Sequence, residues 1–264
     1  MLMLTHTYLL QRILGERVFN SNDLDAYVYN IVPDLLTIHP DITSQQTHKI
    51  ERLMHVPESY PKAAYIMFHL LIDDLSHYGS MCPGTVDEFN PDSQGYSYIR
   101  GKPLIHSLLS LHRSINNEIS YNEAAYRSHL IIEMIYDLVI ADHINVEKTI
   151  EILVEAINFT ANKKIDELVS ITNWIYNFGE NEIREVIEKS SRFLTIDRMQ
   201  KIMNMEGRIR LYADKFGLKS NDPLIADGLR KLFLQATDLV DDNEVFLTEA
   251  EKSIKKYGWL PPVM

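Results

Sequence analysis

Two runs in this 264-residue chain repeat one arrangement of side chains. His69-Leu-Leu-Ile-Asp73-Asp74-Leu-Ser-His77 and His129-Leu-Ile-Ile-Glu133-Met-Ile-Tyr-Asp137 each set a carboxylate four residues after an imidazole. On a helix that interval stacks the two groups one turn apart on a single face. The first run adds His77 a turn further along, so three potential ligands follow one another. Neutral imidazole nitrogens and carboxylate oxygens are what a divalent first-row metal takes from a protein. Buried in an apolar helix without partners, the same stripe would be costly. A lone histidine of this kind reads as a hydrogen-bonded core residue, and for His129 with Glu133 a plain ion pair is the alternative. Three ligand types in consecutive turns favour a metal. Asp74 lies about 100° around the helix from Asp73, so it reads as a group behind the stripe. Asp137 either extends the second stripe, caps, or pairs with Arg127.

Shorter pieces add to these runs. Thr5-His6-Thr7 opens an amphipathic stretch, Pro33-Asp34 falls at an expected turn after an apolar run, and Thr47-His48 lies in or at the start of the next helix. His39 and Asp41 sit on the connection between Asp34 and His48, within reach of the same place. His55, His106, His112 and His143 are assigned to surface or packing. All ten histidines lie between His6 and His143. Acidic excess follows them: residues 1–143 hold 9 Lys+Arg against 17 Asp+Glu, and residues 144–264 hold 17 against 20. A net charge of −11 argues against binding double-stranded nucleic acid.

Helices must carry these groups. Apolar periodicity predicts them over roughly 5–16, 24–32, 43–55, 61–79, 103–117, 121–143, 145–162, 164–178, 180–190, 195–216, 222–239 and 247–257. No run alternates long enough for a sheet, so the expected class is all-α. Residues 80–102 hold turn formers instead, and Tyr96, Tyr98, Arg100 and Lys102 within them are positioned to touch a substrate. A composition shift near 143–145 divides a metal-binding helical domain (1–143) from a C-terminal helical region (144–264). The latter is expected to act as a cap, a partner surface or a contact between copies in a homo-oligomer. One cysteine, Cys82, excludes an intrachain disulfide and fits a reducing compartment. With no leader-like N-terminus and no apolar stretch of membrane-spanning length, the expectation is a soluble cytoplasmic protein.

Taken in order, His6, Asp34, His48, His69, Asp73, His77, His129 and Glu133 resemble the ligand series of the zinc-dependent phospholipase C and S1/P1 nuclease superfamily. The resemblance covers residues 5–133, about half the chain. It rests on an early His, a Pro-Asp after an apolar stretch, a Thr-His, then His-x-x-x-Asp with a later His, and His-x-x-x-Glu. It implies a multi-helical metal-binding bundle with additional C-terminal helices. It further implies that Asp34, His48, His69 and Asp73 hold one zinc ion and that Asp73 bridges to a second bound by His6. His77, His129 and Glu133 would hold a third. The expected cofactor is two or three Zn²⁺, with Mn²⁺ or Fe as alternatives.

Such a site hydrolyses phosphoric esters, because the metals turn a bound water into a nucleophile near neutral pH. Asp34 is the expected proton acceptor, with Asp74 behind it. The expected substrate is a small or lipid-like phosphoester. A di-iron or di-manganese bundle is a competing reading, but its Glu-x-x-His order is the reverse of the one here. A phosphohydrolase of the HD type would need His followed directly by Asp, which this sequence lacks. A helical interaction protein with structural metals is the remaining alternative.

Overall fold

The computed structural model describes residues 2–15, 23–53, 55–82 and 94–259, and among these the chain is all-helical. The first seven helices are α1 (Met3–Leu14), α2 (Asp25–Leu36), α3 (Ser44–His48), α4 (Ala63–Tyr78), α5 (Tyr96–Gly101), α6 (Ile105–Ser114) and α7 (Tyr121–Ala141). Seven more follow: α8 (Val146–Phe159), α9 (Ile165–Tyr176), α10 (Glu180–Phe193), α11 (Ile196–Ile202), α12 (Met205–Lys215), α13 (Pro223–Thr237) and α14 (Asn243–Lys256). No helix among the described residues is long and apolar enough to cross a membrane.

Helices α4 and α7 lie at the centre. Every residue of α4 from Ala63 to Asp74 is buried, and α7 is buried over most of its length from Ala124 to Asp137. Helices that are apolar on all sides have to be covered on all sides. Accordingly α2 and α14 pack on α4, while α5, α6, α12 and α13 pack on α7. Outer helices look different: α10 buries only Ile183, Val186, Ile187 and Ser190, one stripe at helical spacing, and leaves its charges in water. A turn at residues 142–145 falls where the composition shifts, yet a single apolar core crosses it. Leu9, Leu35 and Ile132 from one side share that core with Leu153, Ile187 and Phe233 from the other.

Several boundaries differ from the sequence expectations for local reasons. Helix α2 continues through Pro33 to Leu36, so Asp34 sits in its last turn and not in a following turn. Proline forfeits one backbone bond there, near an end where burial of Leu35 and Leu36 holds the turn closed. The expected helix over 195–216 is two, because Asn204 breaks the run and caps α12 by accepting from the Gly207 N–H. Part of the expected connection at 80–102 is helical as α5, and residues 83–93 of it lie outside the described residues. Gly101 at the end of α5 allows close packing: a Cβ there would stand 2.8 Å from Ser128 Oγ on α7. At the far end of the chain, the Trp259 indole N–H donates to the Ala64 carbonyl at 2.9 Å, and its ring packs on Phe68 of α4.

Candidate metal centre

Helices α2, α3, α4 and α7 bring potential ligands to one cleft of about 770 Å³, and His6 of α1 joins them from the buried side, against Asp73. Asp73 is the hub. His6 Nε2 lies 3.1 Å from its Oδ1, while His48 Nε2 and His69 Nε2 lie 3.2 and 3.4 Å from its Oδ2. Asp34 stands 3.8 Å from His48 Nε2 at the more open side. The rings of His6 and His69 stack at 3.7 Å. A second group forms where α4 meets α7: His77 Nε2 is 2.8 Å from Glu133 Oε1, and the His129 ring stands edge-on to His77. Three triads of ligand atoms result, each with all its atoms within 4.8 Å of one another: His6, His69 and Asp73; Asp34, His48 and His69; His77, His129 and Glu133.

Local sequence fixes these positions. Helix α3 is only five residues long, but a capping box between Thr43 and Gln46 holds it, so His48 at its end has a defined place. The His48 Nδ1 lies 2.9 Å from the Ser44 carbonyl, one turn back. With Nδ1–H donating there, the Nε2 lone pair faces Asp73, the orientation a metal ligand needs. Beside the second group, the Tyr98 ring of α5 stacks on His129 at 4.3 Å, and Ser76 Oγ reaches Glu133 Oε1 at 3.4 Å.

The buried imidazoles are unsatisfied without a further partner. His6 and His69 are fully buried, and His129 is 3% exposed. Nδ1 of His6 and of His69, and Nε2 of His6, find no hydrogen bond; the His6 Nε2 approach to Asp73 is close but not aligned as one. A buried polar atom left in that state costs about 1–3 kcal/mol. Burial and the adjacent His6 ring bring His69 down to about 4, and burial brings His129 down to about 3 against the pull of Glu133. Both are therefore neutral at physiological pH, as ligands must be. Burial alone would raise Asp73 and Glu133, but the positive charge around them, histidines included, holds both carboxyls well below their ordinary range. Burial opposes protonation of His48 too, yet Asp73 and Asp34 outweigh it and raise His48.

All eight residues singled out in the sequence as ligands meet here. Asp74 does not: its carboxylate takes a two-pronged bond from Arg52, Nη2 to Oδ1 at 2.8 Å and Nε to Oδ2 at 3.1 Å, and a further one from the Cys82 N–H. Arg52 Nη1 in turn donates to the carbonyls of His48 and Ile50. The carboxylate expected to stand behind Asp34 is thus committed to an arginine and steadies the backbone at His48. Asp137 likewise turns away from the triads, to Thr5 and Arg208, and Arg127 pairs with Glu123 instead. His39 Nδ1 accepts from the Asp41 N–H in an exposed local turn, and neither residue lines the cleft. His55, His106 and His143 are exposed; His112 is buried and bonded to Asn117 and Arg127.

The walls of the cleft were only partly legible in the sequence. Tyr98 lines it as expected, while Tyr96 and Arg100 turn to Asp242. Tyr78, Tyr126, Lys49 and Lys215 join the lining, and none stands in a pattern that marks it. Lys215 comes from α12, more than eighty residues beyond the last ligand. Among the described residues that line the cleft, Asp34, Asp73 and Glu133 are the acidic ones and Lys49 and Lys215 the lysines. Comparisons of the chain with family models, with curated proteins and with solved structures find no match.

Proposed function

We propose that this protein is a metal-dependent hydrolase of phosphoric esters with a di- or trinuclear zinc centre. The observation that carries the reading is the hub at Asp73, where three imidazoles and a second carboxylate surround one buried carboxylate. The donor set fits zinc: imidazole nitrogens and carboxylate oxygens, with His6 Nε2 facing Asp73 without a hydrogen bond, an atom that a cation would satisfy. His6, Asp34, His48, His69 and Asp73 would hold one pair of ions and His77, His129 and Glu133 a third. On this reading the chain is a member of the phospholipase C and S1/P1 nuclease superfamily that its ligand order resembles, acting in a reducing, cytoplasmic setting.

Bound there, zinc supplies Lewis acidity and a hydroxide available near neutral pH. The chain's own residues do the rest. Asp34, with about a quarter of its side chain exposed, faces the cleft and accepts the proton of an incoming water. Lys49 and Lys215 line the cleft and draw an anionic ester inward. Tyr78, Tyr98 and Tyr126 give a flat apolar wall for the ester's organic part. An open cleft over the ligands favours catalysis over a purely structural role, since structural zinc sites are closed.

Metal analysis of protein purified without chelator, followed by a panel of phosphomonoesters and phosphodiesters, tests the proposal. Stoichiometric zinc and hydrolysis abolished by chelation are expected. Protein that holds no stoichiometric metal, or activity that survives chelation, overturns it.

A further inference from the structure

The N-terminal helix carries a ligand, His6, on its second turn, but its own sequence does little to hold it. Leu2 at the N-cap offers no side-chain bond, and the first turn of α1 has no acidic residue. The missing acceptor comes from 132 residues away. Asp137 of α7 accepts from the Thr5 backbone N–H at 3.0 Å and from the Thr5 hydroxyl at 2.5 Å, both on Oδ1. Its other oxygen, Oδ2, accepts from Arg208 Nη2 of α12 at 3.1 Å. All of this is buried: Thr5 is fully covered, Asp137 is 2% exposed and Arg208 is 3% exposed.

A carboxylate at the first turn of a helix satisfies an orphan N–H and favours the positive end of the helix dipole. Here it also sets register. Thr5 immediately precedes His6, and Asp137 lies one turn past Glu133 on the helix that bears His129. The bond therefore ties the His6 ligand to the α7 ligands through a rigid element. Arg208 holds the carboxylate in place through Oδ2, and a buried guanidinium without that partner would be strongly unfavourable.

We propose that Asp137 and Arg208 are positioning residues for the cation bound through His6, so that the C-terminal half sets occupancy of that one ion. The inference rests on the metal-centre reading and narrows it to a single site. Zinc stoichiometry and dissociation constants are measured by competition with a chromophoric chelator for wild type, His6→Ala, Asp137→Ala, Asp137→Asn and Arg208→Lys. Cobalt absorption spectra provide a second readout.

His6→Ala identifies the ion in question. Asp137→Ala is expected to weaken that same ion about 10–100-fold, the usual effect of removing a group that orients a ligand. The ion at His77, His129 and Glu133 should keep its affinity and its cobalt spectrum. Asp137→Asn keeps an acceptor for Thr5 and should lie between, with Arg208→Lys closest to wild type. Equal loss at all ions, or wild-type affinity for the His6 ion in Asp137→Asn and Asp137→Ala, overturns the inference. So does a His6→Ala protein that binds every ion as wild type does, since no ion is then left to position. If Asp137→Ala does not fold, Asp137→Asn and Arg208→Lys decide. Wild-type protein that binds no zinc at all defeats the metal-centre reading itself, which is a separate result.

Discussion

Helices α4 and α7 each carry two buried acidic residues within one turn, and the two members of each pair do different work. Asp73 and Glu133 face imidazoles across a cleft; Asp74 and Asp137 face arginines in the packed interior. Both kinds are nearly or wholly buried. What separates them is the charge of the partner. A guanidinium is always protonated and neutralises its carboxylate for good. An imidazole can give up its proton, and where burial keeps it neutral, as at His69 and His129, it leaves the carboxylate's charge for something else to balance. The arginine pairs thus form a scaffold, and the histidine groups are the part of the polar interior that can take up a further charge.

Substitutions sharpen that contrast. The largest effect is expected from Asp73→Ala: removing the hub should strip zinc from both adjacent triads and lower kcat/KM at least about a hundredfold, measured with metal content on the same samples. Next, Asp74→Ala leaves Arg52 buried and unpaired, and should destabilise the fold by about 3–5 kcal/mol in denaturant unfolding. Surviving folded Asp74→Ala protein should still bind zinc. A variant that loses zinc with full stability would break the distinction between scaffold and centre. Glu133→Gln should remove one ion and leave the others. Smaller still, Lys215→Ala should raise KM for an anionic ester about fivefold, leave kcat unchanged, and lose that difference at high salt.

The last prediction concerns pH. His48 is raised above its ordinary 6.5, so in metal-free protein its contribution is complete below that value and is lost as pH rises through the higher, folded value. Asp73 and Glu133 are lowered, so their contribution is complete above the ordinary carboxylate range and is lost as pH falls below it. Metal-free Tm should therefore decline from neutral to mildly alkaline pH. Zinc-loaded protein should do the reverse over that window, because the proton leaving His48 makes room for the metal. Parallel Tm profiles with and without zinc would count against His48 as a ligand.

Much of the centre could be read in advance because helical spacing is a short-range signal. His69, Asp73 and His77 sit on one helix, His129 and Glu133 on another, and an interval of four residues reports a shared face directly. The same rule could not separate Asp73 from Asp74 with certainty of partner, since Arg52 reaches Asp74 through a connection with no periodicity. Nor could it find Lys215 or Arg208, which enter from α12 by the way distant helices pack. Periodicity also carried the all-helical class, yet it joined α11 to α12 and stopped α2 early at Pro33. Both errors arose where a cap or terminal burial overruled the local pattern.

The Trp259 indole that clasps Ala64 has a bearing on how the protein matures. The helix holding the hub carboxylate is roofed at one end by a residue almost two hundred positions downstream. During synthesis that roof is among the last pieces of the described chain to emerge. Until it does, α4 keeps an uncovered aromatic flank, and the ligands at its other end stand on an unfinished support. Completion of the packing around α4 thereby waits until the ribosome has delivered Trp259.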